Sequence, residues 1–403
     1  MKTEWIAMMK LLVIVSSLDL TQPFSATPAW WQFLKALYEV GVEMIVTPYQ
    51  GPAIETPWWR AAPNPAKREG DLFKAVRDGM RRVTGLRQAQ VAGTQVEQEG
   101  LSDRLVRRAA QTLIAPRWRG HVDRLLARQP DIDAVLVITV PLNHIGGLAR
   151  HITERHHKPV FFYDGDVPAS LPNFMGFVTG FRFYQGADLS EYTAFICNSE
   201  GGRQGLLDLG AREVHTLFFG ADEDLFIPVD LPQDIDVFFY GHGSEYRAEW
   251  IDAMIREPSL TLPQARFAVR GAHLGDVGRA ETLPYLSFNK LREYACRSKI
   301  NLVITRKAHA SVFASSSSRM FELASMGACM VCNPYEGIET WFKLEKELIV
   351  VHSAEEAVER YTWLVSHEEE RRRLGQAARE RFLKEHTCRH RARQMAEILH
   401  SYL

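Results

Sequence analysis

A run of small polar residues leads directly into a short amphipathic segment in the last third of the sequence. The serines at 315–318 precede Arg319, Glu322 follows one turn later, and Gly327 closes the segment before an apolar run. Such a loop leaves free backbone N–H groups at a helix N-terminus, where they bind an anion such as a diphosphate. A carboxylate one turn inside the helix can accept hydrogen bonds from hydroxyl groups. The combination indicates a nucleotide-sugar site.

A second candidate loop follows the first apolar run of the chain's second half. Gly241 and Gly243 come directly after Tyr240 and would let a ligand approach the backbone closely. Arg247 lies just beyond them, and Arg306 follows a later apolar run. Arginine can pair two oxygens of an anion at once, so both residues are candidate ligand contacts. For each, the alternative is an ordinary surface arginine.

Candidate acid–base residues follow two apolar runs of the first half. Asp164 and Asp166 flank Gly165 at the end of one run, and His144 lies in the loop after another. An aspartate here could orient a sugar or act as base on an acceptor hydroxyl, and the alternative is a turn in which it caps backbone amides. His144 could also be a base, although a lone histidine in a loop more often is not.

Two pairs of tryptophans stand out in the first sixty residues. Trp58 and Trp59 lie in the Pro-rich loop 51–65, where burial in a core is harder to achieve. Sugar rings stack on tryptophan faces, so this pair is a candidate wall for an acceptor, and a dimer contact is the equal alternative. Trp30 and Trp31 are interpreted as core or interface residues.

Parallel sheets covered by helices are expected to position these residues, because short apolar runs alternate with longer helical patterns. Strands are predicted at 11–16, 43–47, 134–139, 160–163, 195–198, 236–240, 266–270, 300–304, 329–332 and 348–351. An acidic, Pro-containing segment at 222–232 separates two halves. Ligands bind outside the carboxyl ends of such strands, so two facing halves predict a cleft.

Helix signals support the same organisation. Thr27 and Pro28 predict the start of a helix that runs to about Val40. Residues 353–356 form a capping box for a later helix. The Arg- and Glu-rich tail from about Glu368 is interpreted as a solvated amphipathic helix.

Composition restricts the class of protein. A chain of 403 residues predicts two domains, and a net charge of −1 gives no overall case for nucleic acid as a partner. Five cysteines, an odd number in a long chain, argue against a disulfide framework and for a reducing, cytoplasmic compartment. Cys329 and Cys332 lie in an apolar run and are interpreted as core thiols rather than a metal site.

Two further stretches have alternative interpretations. Residues 1–18 could pass for a signal peptide, but Lys10 interrupts the apolar part, so we interpret 11–15 as the first buried strand. Residues 60–128 contain 15 Lys or Arg against 7 Asp or Glu. Solvated helices are the ordinary interpretation, and an acidic acceptor or peripheral contact with an anionic membrane is the alternative. No apolar run is long enough to predict a membrane span.

The candidate helix and several other stretches resemble a known family. Residues 321–328 resemble the donor-binding helix of GT-B fold glycosyltransferases of the group 1 type, and most closely the branch named after the spore maturation protein CgeB. The other similar stretches agree in order and spacing and lie at 197–200, 220–226, 299–306, 372–375 and 385–387. The resemblance runs from about Val160 to the C-terminus.

The resemblance implies an α/β protein of GT-B fold, in which two Rossmann-like domains with parallel sheets face an interdomain cleft. It implies an acceptor-binding domain at 1–224 and a nucleotide-sugar-binding domain at 225–385. A C-terminal helix at 386–403 would pack back toward the N-terminal domain. In this family the residue matched by Glu322 contacts the ribose. The expected diphosphate-binding set is Ser317, Ser318, Arg319, Gly241, Gly243, and Arg247 or Arg306.

The sequence departs from the family pattern at one position. The family commonly has two glutamates separated by seven residues; Glu322 matches the second, and Ala314 stands where the first is expected. The sugar-contacting carboxylate is therefore absent. In the other large glycosyltransferase fold a DxD pair holds a metal, but GT-B enzymes need none. We therefore expect no metal or cofactor, and assign Asp164 or Asp166 to catalysis.

These observations predict a metal-independent, hexosyltransferase-like glycosyltransferase. It would move a sugar from a nucleotide-diphosphate donor to a small-molecule, glycan or protein acceptor. Group 1 relatives mostly retain the anomeric configuration. The alternatives are a nucleotide-sugar epimerase on the same fold and a non-catalytic nucleotide-sugar-binding protein with a degenerate site. The base, the sugar, the acceptor and the oligomeric state do not follow from the sequence.

Overall fold

The computed structural model describes residues 9–20, 29–68, 70, 101–172, 184–243 and 247–403. The predicted helix start at Thr27 and Pro28 lies outside these residues, as does much of the basic stretch 60–128. So does Ser244, which ends the glycine-containing turn after Tyr240.

Apolar, β-branched and aromatic runs form the strands, and the central strands are buried almost throughout. The first sheet contains β1 (Lys10–Ser17), β2 (Glu43–Gln50), β3 (Arg60–Ala61), β4 (Ala134–Ile138), β5 (Val160–Asp164), β6 (Ala194–Cys197) and β7 (Val214–Thr216). The second contains β8 (Ile235–His242), β9 (Phe267–Ala272), β10 (Glu281–Thr282), β11 (Ser298–Val303), β12 (Met330–Cys332) and β13 (Ile349–Val350).

Helices connect the strands and cover both sheets. Those of the first half are α1 (Ala29–Glu39), α2 (Leu101–Leu113), α3 (Ala115–Arg128), α4 (Leu148–His156) and α5 (Arg203–Asp208). Those of the second half are α6 (Ala248–Ile251), α7 (Glu257–Thr261), α8 (Phe288–Cys296), α9 (Lys307–Ala310), α10 (Ser318–Ser325), α11 (Ala354–Ser366), α12 (Glu368–Glu385) and α13 (Cys388–His400). A π-helical turn, Asp252–Arg256, joins α6 to α7.

Both sheets are parallel, and each has one point at which the strand order reverses. The first has the order β3-β2-β1-β4-β5-β6-β7, and the second β10-β9-β8-β11-β12-β13. The reversals lie between β1 and β4 and between β8 and β11. In open α/β sheets, ligands bind in the crevice outside the carboxyl ends of the strands at such a point.

Each predicted strand is present, and most bounds differ by one or two residues; β2 extends three residues past its predicted end. The two-residue strands β3 and β10 and the short β7 were not predicted, because runs this short carry no periodicity. The capping box differs in one detail. Ser353 Oγ accepts from the N–H of Glu356, but Glu356 Oε2 accepts from His352 rather than from Ser353.

The C-terminal tail forms two helices, and neither is solvated on all sides. Arg371, Leu374 and Phe382 of α12 are buried, and α12 packs against α10. Helix α13 packs against α1 of the first domain, with Met395 and Leu399 fully buried in a core that also contains β1 residues. The tail is amphipathic, as predicted, but it forms two helices instead of one, and the inner face of each is buried in the protein.

The chain crosses between the domains twice, and the crossings lie side by side. The N–H of Cys388 donates to Ala221 O at 2.8 Å. Arg389 pairs with Glu39 of α1 and with Glu223 and Asp224 of the first crossing. These contacts fix the second crossing against both the first crossing and α1.

Candidate active site

The loops after β8 and β11 meet at the reversal point of the second sheet. Arg247 joins them, because its Nε donates to Ile304 O at 2.6 Å and its Nη1 donates to His242 O at 2.8 Å. Arg306 begins the turn that leads into α9. The two predicted arginines therefore lie on neighbouring loops at the carboxyl edge of the sheet.

Arg319, at the start of α10, completes a cluster of three guanidinium groups with Arg247 and Arg306. Burial lowers the pKa of Arg247 well below its usual value, and the charges of Arg319 and Arg306 lower it further, while Asp166 opposes them. The positive charges of Arg306 and Arg319 therefore act unfavourably on that of Arg247. The three groups form a site that an anion with several oxygens would stabilise.

Glu322 lies beneath the cluster in the middle of α10 and is 1% exposed. Tyr240, near the end of β8, donates its hydroxyl to Glu322 Oε2 at 3.0 Å. The guanidinium carbon of Arg319 lies 4.5 Å from the centre of the Tyr240 ring. Burial raises the pKa of Tyr240 well above its usual value, with the charge of Glu322 as the next cause. Tyr240 therefore orients both charged residues of the predicted donor helix.

Gly241 leaves room for the guanidinium group of Arg319. A Cβ atom at residue 241 would lie 2.8 Å from Arg319 Nη1, so a side chain there would displace the guanidinium. Gly243 has a different reason: a Cβ there would lie 2.3 Å from the carbonyl oxygen of His273. The predicted close approach at Gly243 is thus to the loop after β9, a part of the protein itself.

The serine run divides into two parts with different environments. Ser315 and Ser316 are fully buried in the contact between the domains. Ser199 Oγ and Ser315 Oγ are 2.6 Å apart, the N–H of Ser316 donates to Asn198 O at 2.9 Å, and Asn198 Nδ2 donates to Ser316 O at 3.0 Å. These residues join the domains rather than bind an anion.

Ser317 and Ser318 are half-buried at the N-terminus of α10. Ser317 has extended backbone angles, φ −126° and ψ 139°, and in the described structure its side chain makes no capping hydrogen bond to the helix. The helix ends in a Schellman motif, because the N–H of Ala328 donates to Leu323 O and Gly327 has φ +67°. The backbone geometry thus agrees with the predicted loop, helix and closing glycine.

Ala314 has a left-handed φ of +46° and is 0% exposed. Its methyl group belongs to the core of the second domain, and its N–H donates to Glu336 O at 3.0 Å. The position where a sugar-contacting glutamate is expected therefore faces the core in this chain.

Asp166 reaches across from the first domain to the arginine cluster. Its carboxylate forms an ion pair with Arg306, and its Oδ1 lies 4.0 Å from His309 Nε2. His309 is 3% exposed, and within the described structure its Nδ1 has no hydrogen-bond partner. Burial lowers the pKa of His309 well below its usual value, and the Arg306 charge adds to the effect, so the imidazole is neutral at pH 7.

Asp164, two residues earlier, accepts hydrogen bonds from residues of its own domain. Its carboxylate accepts from the N–H of Asp166 at 2.8 Å, from Ser170 Oγ at 2.5 Å and from the Tyr184 hydroxyl. Burial raises the pKa of Asp164 to about 6. This geometry favours the turn interpretation for Asp164 and leaves Asp166 as the aspartate that faces the second domain.

His144 is 6% exposed, and its Nδ1 lies 2.7 Å from the Tyr49 hydroxyl. Burial lowers the pKa of His144 to about 4, so this side chain is neutral at pH 7 and bonded to the protein. The geometry favours the structural alternative for His144, because a buried imidazole that already has a partner is poorly placed to accept a substrate proton.

The tryptophan pair packs largely inside the first domain. Trp59 is 3% exposed, its Nε1 donates to Ile54 O at 2.9 Å, and its ring centre lies 5.0 Å from that of Trp31. Trp58 is half-buried and also packs near Trp31, with 6.3 Å between the two ring centres. Trp58 is thus the member of the pair with a face left to contact an acceptor.

A cavity of about 200 Å³ lies next to the arginine cluster. Its lining includes Arg247, Lys307, Ser311 and Asn333, with Trp250 and Pro334 as apolar walls. Lysine and serine side chains can donate hydrogen bonds to a polar group that extends beyond the arginines. The Asn333 amide is already engaged, because its Oδ1 accepts from the N–H of Thr305 and its Nδ2 donates to Pro334 O.

Sequence reasoning missed two residues of this site, Tyr240 and His309. Tyr240 was visible only as the last apolar residue before the glycine turn. His309 follows Arg306 by three residues in a short helix, which gave no signal, since its importance depends on Asp166 from the other domain.

Comparisons with known proteins agree with this geometry. Residues 247–397 match the family model described as glycosyl transferase-like. Sucrose-phosphate synthase (tll1590) from Thermosynechococcus elongatus is 14% identical with a TM-score of 0.63, and the match covers 98% of this chain and 99% of that one. An E. coli structure described as trehalose-6-phosphate bound with UDP-2-fluoro glucose is 12% identical with a TM-score of 0.63, over 97% and 98%. The protein has the GT-B fold.

A third similar structure is Anabaena Alr3699/HepE in complex with UDP and glucose, 11% identical with a TM-score of 0.59, over 98% of this chain and 100% of that one. Curated protein sequences give no significant match. The general glycosyltransferase resemblance is supported by the family match in the second domain, whereas the CgeB-like branch stays a prediction.

Among the described helices, none has the length and apolar character needed to cross a membrane.

Proposed function

We propose that this protein is a glycosyltransferase that takes its sugar from a nucleotide-diphosphate donor bound to the second domain. The observation that supports this most strongly is the cluster of Arg247, Arg306 and Arg319 beside the buried pair Tyr240–Glu322, at the reversal point of the second sheet. The cluster suits a diphosphate, and the carboxylate suits the ribose hydroxyls of the same ligand. The family match to residues 247–397 supports the same assignment.

In this proposal the arginines and the α10 amides bind the diphosphate and stabilise the charge that develops as it leaves. Donors aimed at developing charge in a water-poor site are worth about 10²–10³ in rate each. Arg247 is already oriented by two backbone carbonyls, so little reorganisation is needed when the donor binds. A metal ion is not required, since the guanidinium groups supply the positive charge.

Asp166 has a specific place in this mechanism. Without donor, its carboxylate is the anion paired with Arg306. A donor diphosphate would compete for Arg306 and release Asp166, which then lies beside the transferred sugar as a base for an acceptor hydroxyl. The donor would therefore bind before the acceptor.

Uridine nucleotides are the first donors to test, because two of the similar GT-B structures carry UDP or a UDP sugar. The protein would be incubated with a panel of labelled nucleotide sugars, with and without simple sugar and sugar-phosphate acceptors. Transfer, or slow hydrolysis to free nucleotide diphosphate, supports the proposal. Conversion to an isomeric nucleotide sugar would support an epimerase instead.

Ala314 gives weight to a second candidate, a nucleotide-sugar-binding protein without transfer activity. The carboxylate expected at this position is absent, and its backbone is buried in the core. Saturable binding of a nucleotide sugar with no turnover against any acceptor in the panel would favour this second candidate.

A further inference from the structure

A cluster of metal-ligating side chains lies on the first domain, outside the candidate active site. Asp123 of α3 faces His151 and His156 of α4, and one oxygen or ring nitrogen of each lies within 4.8 Å of the others. His151 Nε2 and His156 Nε2 lie 2.8 and 2.7 Å from the same carboxylate oxygen, Asp123 Oδ1. Two imidazoles of α4 therefore contact one carboxylate oxygen of α3.

We propose that Asp123, His151 and His156 form a zinc site that joins α3 to α4. Two imidazole nitrogens and one carboxylate oxygen are ligands that zinc accepts, and a water molecule would complete four-coordination. Magnesium and calcium prefer sites made of oxygen alone, so the two histidines select against them. The inference does not depend on the proposed transferase activity.

Little movement is needed for an ion to enter. Ligand atoms around tetrahedral zinc, with bonds of about 2.0–2.1 Å, lie roughly 3.3 Å apart, so each nitrogen must move about 0.5 Å away from the oxygen. The side chains of His151, His156 and Asp123 are 27%, 16% and 28% exposed, which allows this movement and gives the ion a path from solvent. Each neutral imidazole would carry its proton on Nδ1 and offer Nε2 to the metal.

Arg155 is the charged neighbour that must be accommodated. Its Nε lies 3.7 Å from Asp123 Oδ1, but its side chain is 65% exposed and can turn toward solvent when the ion arrives. The arginine would then compete with zinc only weakly, as an exposed partner of a carboxylate.

The site would be structural rather than catalytic. Only three residues separate His156, the last residue of α4, from the first residue of β5, so the cluster lies toward the amino edge of the first sheet. The candidate active site lies at the carboxyl edges. Zinc would hold α3 and α4 together at the opposite end of the domain.

The cysteines offer no competing site in the folded protein. All five are free, and Cys329 and Cys332, the one CxxC pair of the sequence, are both buried. Burial raises the pKa of Cys329 to about 12, so this thiol stays protonated at neutral pH. This agrees with the interpretation of the pair as core thiols.

The test is zinc binding by the full chain, prepared without a histidine tag and treated with a chelator, at pH 7.5. Calorimetric titration with zinc chloride should give one ion per chain, with magnesium chloride giving no heat of binding. Asp123→Ala, His151→Gln and His156→Gln should each weaken zinc binding at least tenfold. The matched control is His157→Gln, because His157 is the next residue, is exposed and is not in the cluster.

A second measurement on the unaltered chain guards against variants that fail to fold. Cobalt replaces zinc in tetrahedral sites and then shows intense visible absorption, so one equivalent of cobalt should produce these bands, and zinc should abolish them. No saturable zinc binding, the absence of tetrahedral cobalt bands, or binding that His151→Gln and His156→Gln leave unchanged would overturn the proposal.

Discussion

The carboxyl edges of the two sheets place ionisable side chains at comparable positions but pair them differently. In the first domain, Asp164 is bonded to Ser170 and Tyr184, and His144 to Tyr49. In the second domain, Arg247, Arg306 and Arg319 crowd together, and their opposing carboxylate, Asp166, comes from the other domain.

The difference distinguishes side chains whose hydrogen bonds stabilise their own domain from side chains that are available to bind a ligand. The buried Asp164 carboxylate already accepts three hydrogen bonds from its own domain, so it has little accepting capacity left for a substrate. The charges of Arg306 and Arg319 help to lower the pKa of Arg247, so a ligand anion that takes the place of the Asp166 carboxylate would stabilise this group of cations. The second edge therefore has the properties of a binding site, and the first contributes mainly Asp166.

The largest effect is expected from Arg306→Gln. Removing one of the charges that stabilise the leaving diphosphate should lower kcat/KM by about 10²–10³. Steady-state kinetics with the best donor from the panel measure this. Arg266→Gln is the matched control, because Arg266 precedes β9 at the amino edge of the same sheet and forms exposed ion pairs with Asp234 and Glu281. Equal losses in the two variants would contradict the comparison.

Glu322→Ala should weaken donor binding by about ten- to a hundred-fold, because a hydrogen bond to a charged group is worth roughly 1.5–3 kcal/mol. The dissociation constant of the nucleotide, from calorimetry, is the measurement. Glu347→Ala controls for the loss of a buried glutamate, since Glu347 is 8% exposed and accepts from the N–H of Lys343. If Glu322→Ala and the control bind the nucleotide equally well, the ribose role is wrong.

Asp164 should behave as a structural acid. Burial raises its pKa in the folded protein from 3.8 to about 6, so the folded state holds its proton more tightly than the unfolded state. The stabilisation is fully present below pH 3.8 and is lost as the pH rises through about 6.

Relative to Asp164→Asn, the unaltered chain should therefore gain on the order of 2 kcal/mol in the free energy of unfolding as the pH falls from 6 to 4. Urea unfolding across this range measures the difference. A constant difference between the two proteins at all these pH values would count against a buried, raised pKa.

Asp166→Asn should have the smallest effect on donor binding. It should tighten binding, whereas Arg306→Gln and Glu322→Ala weaken it. An exposed or half-exposed ion pair is worth about 0.2–1 kcal/mol, so removing the carboxylate that competes for Arg306 should tighten donor binding by about two- to fivefold. Turnover should fall, because the proposed base is lost. Weaker donor binding in Asp166→Asn would show that the carboxylate does not compete with the donor.

Local patterns made much of this structure predictable. Buried strands such as β1 and β5 are apolar over four or five residues, and α10 carries its own loop, carboxylate and closing glycine in one continuous stretch. Glu322 and the α10 amides could therefore be named from the sequence.

The remaining features depend on contacts between distant parts of the chain. Asp166 and Arg306 are 140 residues apart, and only the packing of the two domains brings them together. Asp164 and Asp166 look equivalent in the sequence, but Ser170 and Tyr184 engage one and not the other. Asp123, His151 and His156 lie on two helices, with no spacing typical of a metal motif.

The most direct test of the central claim is calorimetric titration of the unaltered chain with UDP and with UMP, repeated on Arg306→Gln and Glu322→Ala. We predict one UDP per chain, at least tenfold weaker binding of UMP because it lacks the second phosphate, and a smaller preference for UDP in Arg306→Gln, in which Arg247 and Arg319 remain. Glu322→Ala should weaken both nucleotides alike. No binding of UDP, of other nucleoside diphosphates or of their sugars, or binding that ignores the second phosphate, would contradict the account.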